Sequence, residues 1–282
     1  MRIYIVIPAH NEEAYISSML DSLVTQSVLP TKVVVVNDNS TDKTQSIIDT
    51  FSSEYPFITS ISISSEAKNV PGSKVINAFS EGYKLLDDDY DLICKFDADL
   101  IFPKHYLENI ISTFSTDPEC GMAGGFCYIA NDDTWILENL TNTDHLRGAL
   151  KAYRKECFKD IGGLKNSIGW DTVDELLAQF HGWKIKTDPS LHVKHLKPTG
   201  ASYTKASKFL QGEAFYKMRY GLLLTSIASL KQAFRKKKFK EFLFALQGYF
   251  QAKSSNKAFI VSEEEGKFIR KHRWKGIKNK LT

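Results

Sequence analysis

The sequence predicts an α/β fold, a mostly parallel sheet flanked by helices, followed by a C-terminal helical extension. Three observations carry the prediction. Apolar runs rich in β-branched residues alternate with helix-spaced patterns through the first half. Polar clusters stand directly after three of those runs. The charge changes sign near residue 200: residues 201–282 hold 19 Lys and Arg against 5 Asp and Glu, whereas the first 200 hold 18 against 28. Such asymmetry points to an acidic body with a basic appendage. The expected division is therefore 1–200 and 201–282.

The elements follow in order. Residues 2–8, RIYIVIP, form a continuous apolar run, which is how a strand buried on both faces reads. Ile16, Leu20, Leu23 and Val24 recur at helical spacing. KVVVVND (32–38) is a second buried strand, and STDKTQSIIDTF opens on helix-capping residue types. FITSISI (57–63) is a third strand, SKVINAFSEGYKLL a helix and YDLICKFD a fourth strand. PKHYLENIISTF begins with proline, as first helical turns tolerate. GMAGGFCYIA is a glycine-rich strand, ALKAYRKECF a strand running into a helix, and WDTVDELLAQFHGW a short helix. KIKTDPSLHVKH is expected as two short extended pieces. Basic helices follow, with breaks near 235–240 and 253–262.

Composition narrows the class. With 43% apolar and 25% charged residues, the chain is that of an ordinary globular protein. Four cysteines, at 94, 120, 127 and 157, show no C-x-x-C spacing, which argues against a disulfide framework or zinc knuckle and suits a reducing, cytoplasmic compartment. The apolar stretch at the N-terminus reads as a strand rather than a signal peptide. The longest C-terminal apolar run, YGLLLTSIASL, is about half of what a membrane span requires.

Ligands of open parallel sheets bind at the carboxyl ends of the strands. Pro8, Ala9, His10, Asn11 and Glu12 stand at the end of the first strand, Asn37, Asp38 and Asn39 follow the second, and Asp97 and Asp99 the fourth. Each cluster alone suits a turn or helix cap. Together they line one edge of one sheet, and that points to a site. Lys95 is placed to pair with one of the paired aspartates, and a metal ion with both. Mg²⁺ and Mn²⁺ take one or two carboxylates plus substrate phosphates. Asp38 has the chemistry to accept the imide N–H of uracil or the N–H groups of guanine. Lys74, near a helix start, is a candidate phosphate or ribose contact, or else a solvated lysine. Asp171 and Asp174 also suit a helix N-terminus.

The segments IVIPAHNEEAYISSMLDSL, KVVVVNDNSTDKT, ICKFDADLIFP and IGWDTVDELL resemble successive motifs of family 2 glycosyltransferases in their order and separation. The resemblance covers roughly residues 1 to 200. It implies a GT-A fold, with a Rossmann-like, mostly parallel sheet, and a nucleotide-sugar donor. Pro8, Ala9, Asn11 and Glu13 match the motif lining the nucleoside pocket, and Asp38 the aspartate that recognises the base. Lys74 and Asn77 match a variable donor-binding segment. Asp97, Ala98 and Asp99 match the metal-binding D-x-D, with Mg²⁺ or Mn²⁺ as cofactor. Asp171 matches the general base; the usual E-D pair reads Trp170-Asp171 here. His195 matches a histidine that serves several members as a further metal ligand, and fits that place better than His192. The resemblance implies direct displacement with inversion, by a metal-dependent enzyme of the hexosyltransferase type, with a UDP-sugar favoured and a glycan or lipid-linked glycan as acceptor.

Residues 231–253 alternate basic clusters with Phe and Leu and read as a basic amphipathic helix pair. That pattern suits an anionic membrane surface, hence peripheral attachment to the cytoplasmic membrane face. It also suits a solvated hairpin packed on the catalytic domain. Nucleic acid is not expected, because no nucleic-acid motif is present. Two other functions compete. A sugar nucleotidyltransferase would carry a glycine-rich, basic phosphate loop where PAHNEE stands. A catalytically degenerate binding subunit would not need Asp38, Asp97, Asp99 and Asp171 intact.

Overall fold

The computed structural model describes residues 1–65, 73–138, 143–197, 208–235 and 237–279. The chain packs as two units. The first comprises Met1–Asn69, Lys74–Leu164 and His181–Ala201, and the second Val70–Ser73, Lys165–Phe180 and Ser202–Thr282.

The first unit is built on a nine-stranded sheet. It opens with β1 (Ile3–Ala9), α1 (Ile16–Val24), β2 (Lys32–Asp38), α2 (Thr44–Glu54), β3 (Ile58–Ile63), α3 (Ser73–Lys84) and β4 (Leu92–Phe96). It continues with β5 (Leu100–Ile101), α4 (Tyr106–Thr116), β6 (Cys120–Asn131), β7 (Thr134–Leu137), β8 (Leu150–Arg154) and α5 (Lys155–Asp160). The second unit takes the chain through α6 (Trp170–Phe180), and β9 (Lys184–His195) returns to the sheet. The remaining helices, α7 (Leu210–Lys217), α8 (Gly221–Arg235), α9 (Lys240–Ser254) and α10 (Glu263–Lys278), belong to the second unit.

The sheet order is β3-β2-β1-β4-β8-β6-β9-β5, with β7 paired to β6. The four N-terminal strands run parallel, and β1, β2 and β4 are the near-continuously buried runs that parallel sheets carry, whereas β3 alternates at the edge. Ile5, Val6, Ile7, Val33, Val35, Val36, Ile93 and Cys94 are fully buried. β8 then joins β4 antiparallel, and β6 joins β8 antiparallel. Glycines allow close approach here: a Cβ on Gly125 would lie 2.3 Å from the Leu191 carbonyl oxygen of β9. All four cysteines are buried thiols outside any disulfide.

The expectation of two extended pieces over 184–195 is corrected to one strand, which pairs parallel with β6 through two register irregularities. Two elements, β5 and β7, were not expected. β5 is two residues long, and β7 is exposed along its whole length. No helix among the described residues is long and apolar enough to cross a membrane.

In the second unit α7 packs on α9 through glycine. A Cβ on Gly248 would lie 2.0 Å from the Phe209 carbonyl oxygen, and one on Gly212 would lie 1.7 Å from that of Ala245. α10 starts on a complete capping box between Ser262 and Glu265.

Candidate functional site

Register brings the polar clusters to one edge. Ala9 lies beside Asn37, and Val6 beside Lys95, so the carboxyl ends of β1, β2 and β4 are neighbours. Loops there are stitched together. The Asn11 amide donates to Ser40 Oγ at 2.9 Å, and Thr41 N donates to Asn11 Oδ1 at 2.8 Å. Lys43 N donates to a Glu13 carboxylate oxygen at 2.9 Å, and Glu12 N to Thr44 Oγ1 at 2.8 Å. Asn11 and Asn39 both adopt left-handed backbone, which asparagine accepts more readily than most residues. Asn11 and Glu13 therefore join the β1–α1 and β2–α2 loops. Pro8 and Ala9 stand at the carboxyl end of β1.

Asp38 is buried at the end of β2. Its two carboxylate oxygens accept from Ser65 N at 3.1 Å and Ser65 Oγ at 2.7 Å. Its backbone carbonyl lies 2.6 Å from His10 Nδ1. Lys74 is half-buried at the start of α3, and Asn77 is exposed on the same helix.

Asp97, Ala98 and Asp99 occupy the short link between β4 and β5. Lys95, two residues before Asp97, projects to the same side and donates to Asp97 Oδ1. It also donates to the Gly148 carbonyl at 3.0 Å. Lys95 lies directly opposite Lys151 across β4 and β8, and both are buried. The pairing anticipated between Lys95 and one aspartate is therefore present.

Asp99 is held differently. Its Oδ2 lies 3.5 Å from His195 Nε2, and its buried Oδ1 has no hydrogen-bond partner. The alternation along the end of β9 turns Leu191, Val193 and His195 inward and His192 outward, where its ring meets that of Tyr128. His195 Nδ1 pairs with Glu138 Oε2 at 2.8 Å, and Arg147 Nη2 lies 3.0 Å from the same oxygen. Burial pulls the His195 pKa down, but hydrogen bonds to Asp99 and Glu138 outweigh it and raise it to about 9. Glu12 completes the acidic edge. Burial pushes its pKa up, against the Lys197 ammonium 3.0 Å away, while Asp99 and Asp97 push it further up.

A cation fits this set. An orphaned buried carboxylate oxygen is costly unless something binds it, and it sits beside an imidazole nitrogen in an acidic cluster. Oxygen donors with one imidazole suit Mg²⁺ or Mn²⁺. Cys127, Glu138 and His195 also place ligand atoms within 4.8 Å of one another. That trio fits less well. Burial pushes the Cys127 thiol up to about 12, so it keeps its proton, and Glu138 Oε2 is engaged by both His195 and Arg147. Glu138 is better suited to orienting the His195 ring.

Asp171 lies in the first turn of α6, in the second unit. Gly169, at φ +75°, turns the chain into that helix, and its carbonyl accepts from Thr172 and Val173. Asp174 and Glu175 are buried on the same helix. Sequence reasoning missed Glu138, Arg147 and Lys197. None stands in a local pattern, and Glu138 meets His195 across 57 positions.

The fold is that of the GT-A glycosyltransferases. Staphylococcus aureus TarS, solved in complex with UDP-GlcNAc, superposes with a TM-score of 0.57 at 17% identity, over 80% of this chain and 66% of that one. Mannosyltransferase PcManGT from Pyrobaculum calidifontis, solved with GDP-Man and Mn²⁺, gives 0.60 at 17% identity over 98% and 80%. At such identities the likeness establishes the fold alone. The family profile described as Glycosyl transferase family 2 matches residues 4–165, more than half of the chain, and the chain belongs to that family. Among curated relatives, "Probable glycosyltransferase YdaM" of Bacillus subtilis is 28% identical over 145 residues, 51% of this chain and 33% of the relative. The first three such relatives are matched over 33% to 57% of their own length.

Proposed function

We propose that the chain is an inverting, metal-dependent glycosyltransferase of the hexosyltransferase type. It moves a sugar from a nucleotide-diphosphate donor, a UDP-sugar by preference, to a hydroxyl of a glycan or lipid-linked glycan. Residues 1–200 form the catalytic domain, and 201–282 are an extension that works at the cytoplasmic face of a membrane. The observation that carries this reading is the unpartnered Asp99 Oδ1 beside His195 Nε2 at the carboxyl edge of the sheet. The nucleotide sugars with which TarS and PcManGT were solved support it.

The roles follow from the chemistry of each group. Asp38 accepts the N–H of the base, exchanging its hydrogen bonds to Ser65 for it. Lys74 and Asn77 contact the donor from α3, and Pro8, Ala9, Asn11, Glu13 and Ala98 wall the nucleoside crevice. Asp97, Asp99 and His195 would hold Mg²⁺ or Mn²⁺. A divalent ion there supplies neutralisation of the charge on the departing diphosphate. Asp171 takes the proton of the acceptor hydroxyl as that oxygen bonds to the anomeric carbon. The bond from that carbon to the diphosphate oxygen breaks in the same displacement, and the configuration inverts.

Calorimetry with UDP and GDP, with and without Mn²⁺, tests the donor site on wild type and Asp99→Ala. Mn²⁺-dependent UDP binding that is lost in the variant supports the reading. Preference for GDP redirects the donor within the same enzyme class. Binding of neither nucleotide under any condition overturns it in favour of a non-catalytic subunit.

A further inference from the structure

α8 and α9 are each apolar on two opposite faces. The inner face of α8 buries Leu224, Thr225, Ser229 and Ala233. That of α9 buries Ala245, Gly248, Tyr249 and Ala252, and α7 packs against it. These inner faces pack within the second unit.

The outer faces repeat a different pattern. On α8, Leu223, Ile227, Leu230 and Phe234 fall at i, i+4, i+7 and i+11, one continuous stripe. On α9 and its N-cap, Phe239, Leu243, Leu246 and Phe250 repeat the same spacing. The ends of the stripes that flank the turn are the most open, with Phe234 71% and Phe239 60% exposed. Leu223, Leu243 and Phe250 are exposed as well, while Ile227, Leu230 and Leu246 are half-buried. Large apolar side chains at such regular spacing are not scattered surface residues.

The charge around the turn is one-sided. Residues 231–240 carry six Lys and Arg and no acidic residue. Lys231, Arg235, Lys237, Lys238 and Lys240 are exposed. A second copy of the chain on this face would bring two such cationic clusters together. Nucleic acid would answer the lysines but leave both apolar stripes in water. A surface of anionic phosphate heads over acyl chains answers both features.

We propose that the α8–α9 hairpin is a membrane-docking face, with its two outer stripes set into the lipid interface and its basic turn on anionic headgroups. The proposal rests on the functional reading above for its purpose, an acceptor presented at a membrane, but not for its test, which involves no nucleotide.

The full chain is sedimented with vesicles of mixed phosphatidylglycerol and phosphatidylcholine, and with vesicles of phosphatidylcholine alone. The expected result is binding to the mixed vesicles that weakens with salt, and little binding to the neutral ones. Replacing the four exposed side chains together (Phe234→Ser, Phe239→Ser, Leu243→Ser and Phe250→Ser) lowers the partition coefficient more than about tenfold. Each of Lys237→Glu, Lys238→Glu and Lys240→Glu lowers it about fivefold or more. All these side chains are exposed, so the variants keep the far-ultraviolet circular dichroism and UDP affinity of wild type. No binding to either vesicle, or equal binding to both, overturns the proposal. So does a concentration-dependent dimer that the serine variant abolishes, or retention on RNA that only the charge reversals remove. Vesicle binding without UDP binding keeps this proposal and sinks the functional one alone.

Discussion

Titration of His195 in the metal-free protein probes the wiring of the site directly. The imidazole has an ordinary pKa of 6.5, and in the folded chain it is raised to about 9. Burial opposes the charged form, and hydrogen bonds to Asp99 and Glu138 favour it more strongly. The folded protein therefore holds a proton that the unfolded chain has already released between these two values. Stability from this group is fully present below about 6.5, declines through the window and is lost above about 9. At about 1.4 kcal/mol per pH unit, the difference between 6.5 and about 9 amounts to about 3 kcal/mol. The side chain is only 5% exposed, so solvent screening removes little of it.

The perturbation is His195→Gln, with EDTA present throughout. Urea midpoints are followed by circular dichroism from below pH 6.5 to above pH 9 in both proteins. Wild type should lose stability across the window, and the variant should lose much less. A flat wild-type profile, or the same slope in the variant, would refute the geometry of the Asp99–His195–Glu138 chain. Mn²⁺ competes with that proton for Nε2, so stabilisation by the ion should grow as pH rises through the same window.

Other consequences are open to measurement. Asp38→Ala should weaken UDP binding by about tenfold to a hundredfold, the loss of a charge-assisted hydrogen bond; unchanged affinity would remove Asp38 from base recognition. Asp171→Asn should cut kcat by about 10² to 10⁴ with little change in donor KM, as loss of a general base does; full turnover would end its assignment. Gly248→Ala should cost about 1–3 kcal/mol of stability, because its Cβ would lie 2.0 Å from the Phe209 carbonyl oxygen. Gly276→Ala, with nothing within 4 Å of its Cβ, should instead stabilise α10 by about 0.5–1 kcal/mol. Equal effects at the two glycines would contradict the close crossing of α7 and α9.

The first half of the fold was legible because strands buried on both faces leave an unmistakable trace. RIYIVIP and KVVVVND admit few alternatives, and the residues after them mark the ligand edge of any parallel sheet. The second half was less so. Pro189 and the polar residues around it broke the pattern of β9 into two pieces, whereas the sheet carries the strand through by shifting register against β6. β7 is only four residues long and is exposed along its length, so its apolar Trp135, Ile136 and Leu137 show none of the buried alternation that marks a strand.

The same distinction governs the site. Lys95 near the end of β4 and Asp97 just past it stand two positions apart, so extended alternation places them on one side. Glu138 and Arg147 have no such constraint. Glu138 reaches His195, and Arg147 reaches Glu138, only because β6 and β9 run side by side and carry Tyr128 and Lys194 into register. From Tyr128 the β6–β7 hairpin turns back, and Glu138 comes to follow its last residue. A carboxylate that orients a metal-ligating histidine need satisfy no sequence spacing, only proximity after folding. Its identity therefore emerges with the tertiary structure, while residues tied to strand ends can be named beforehand. Asp99 belongs to both groups: its place at a strand end is local, but His195 reaches its Oδ2, leaving Oδ1 without a partner, only because β9 pairs with β5 and sets His195 opposite Leu100.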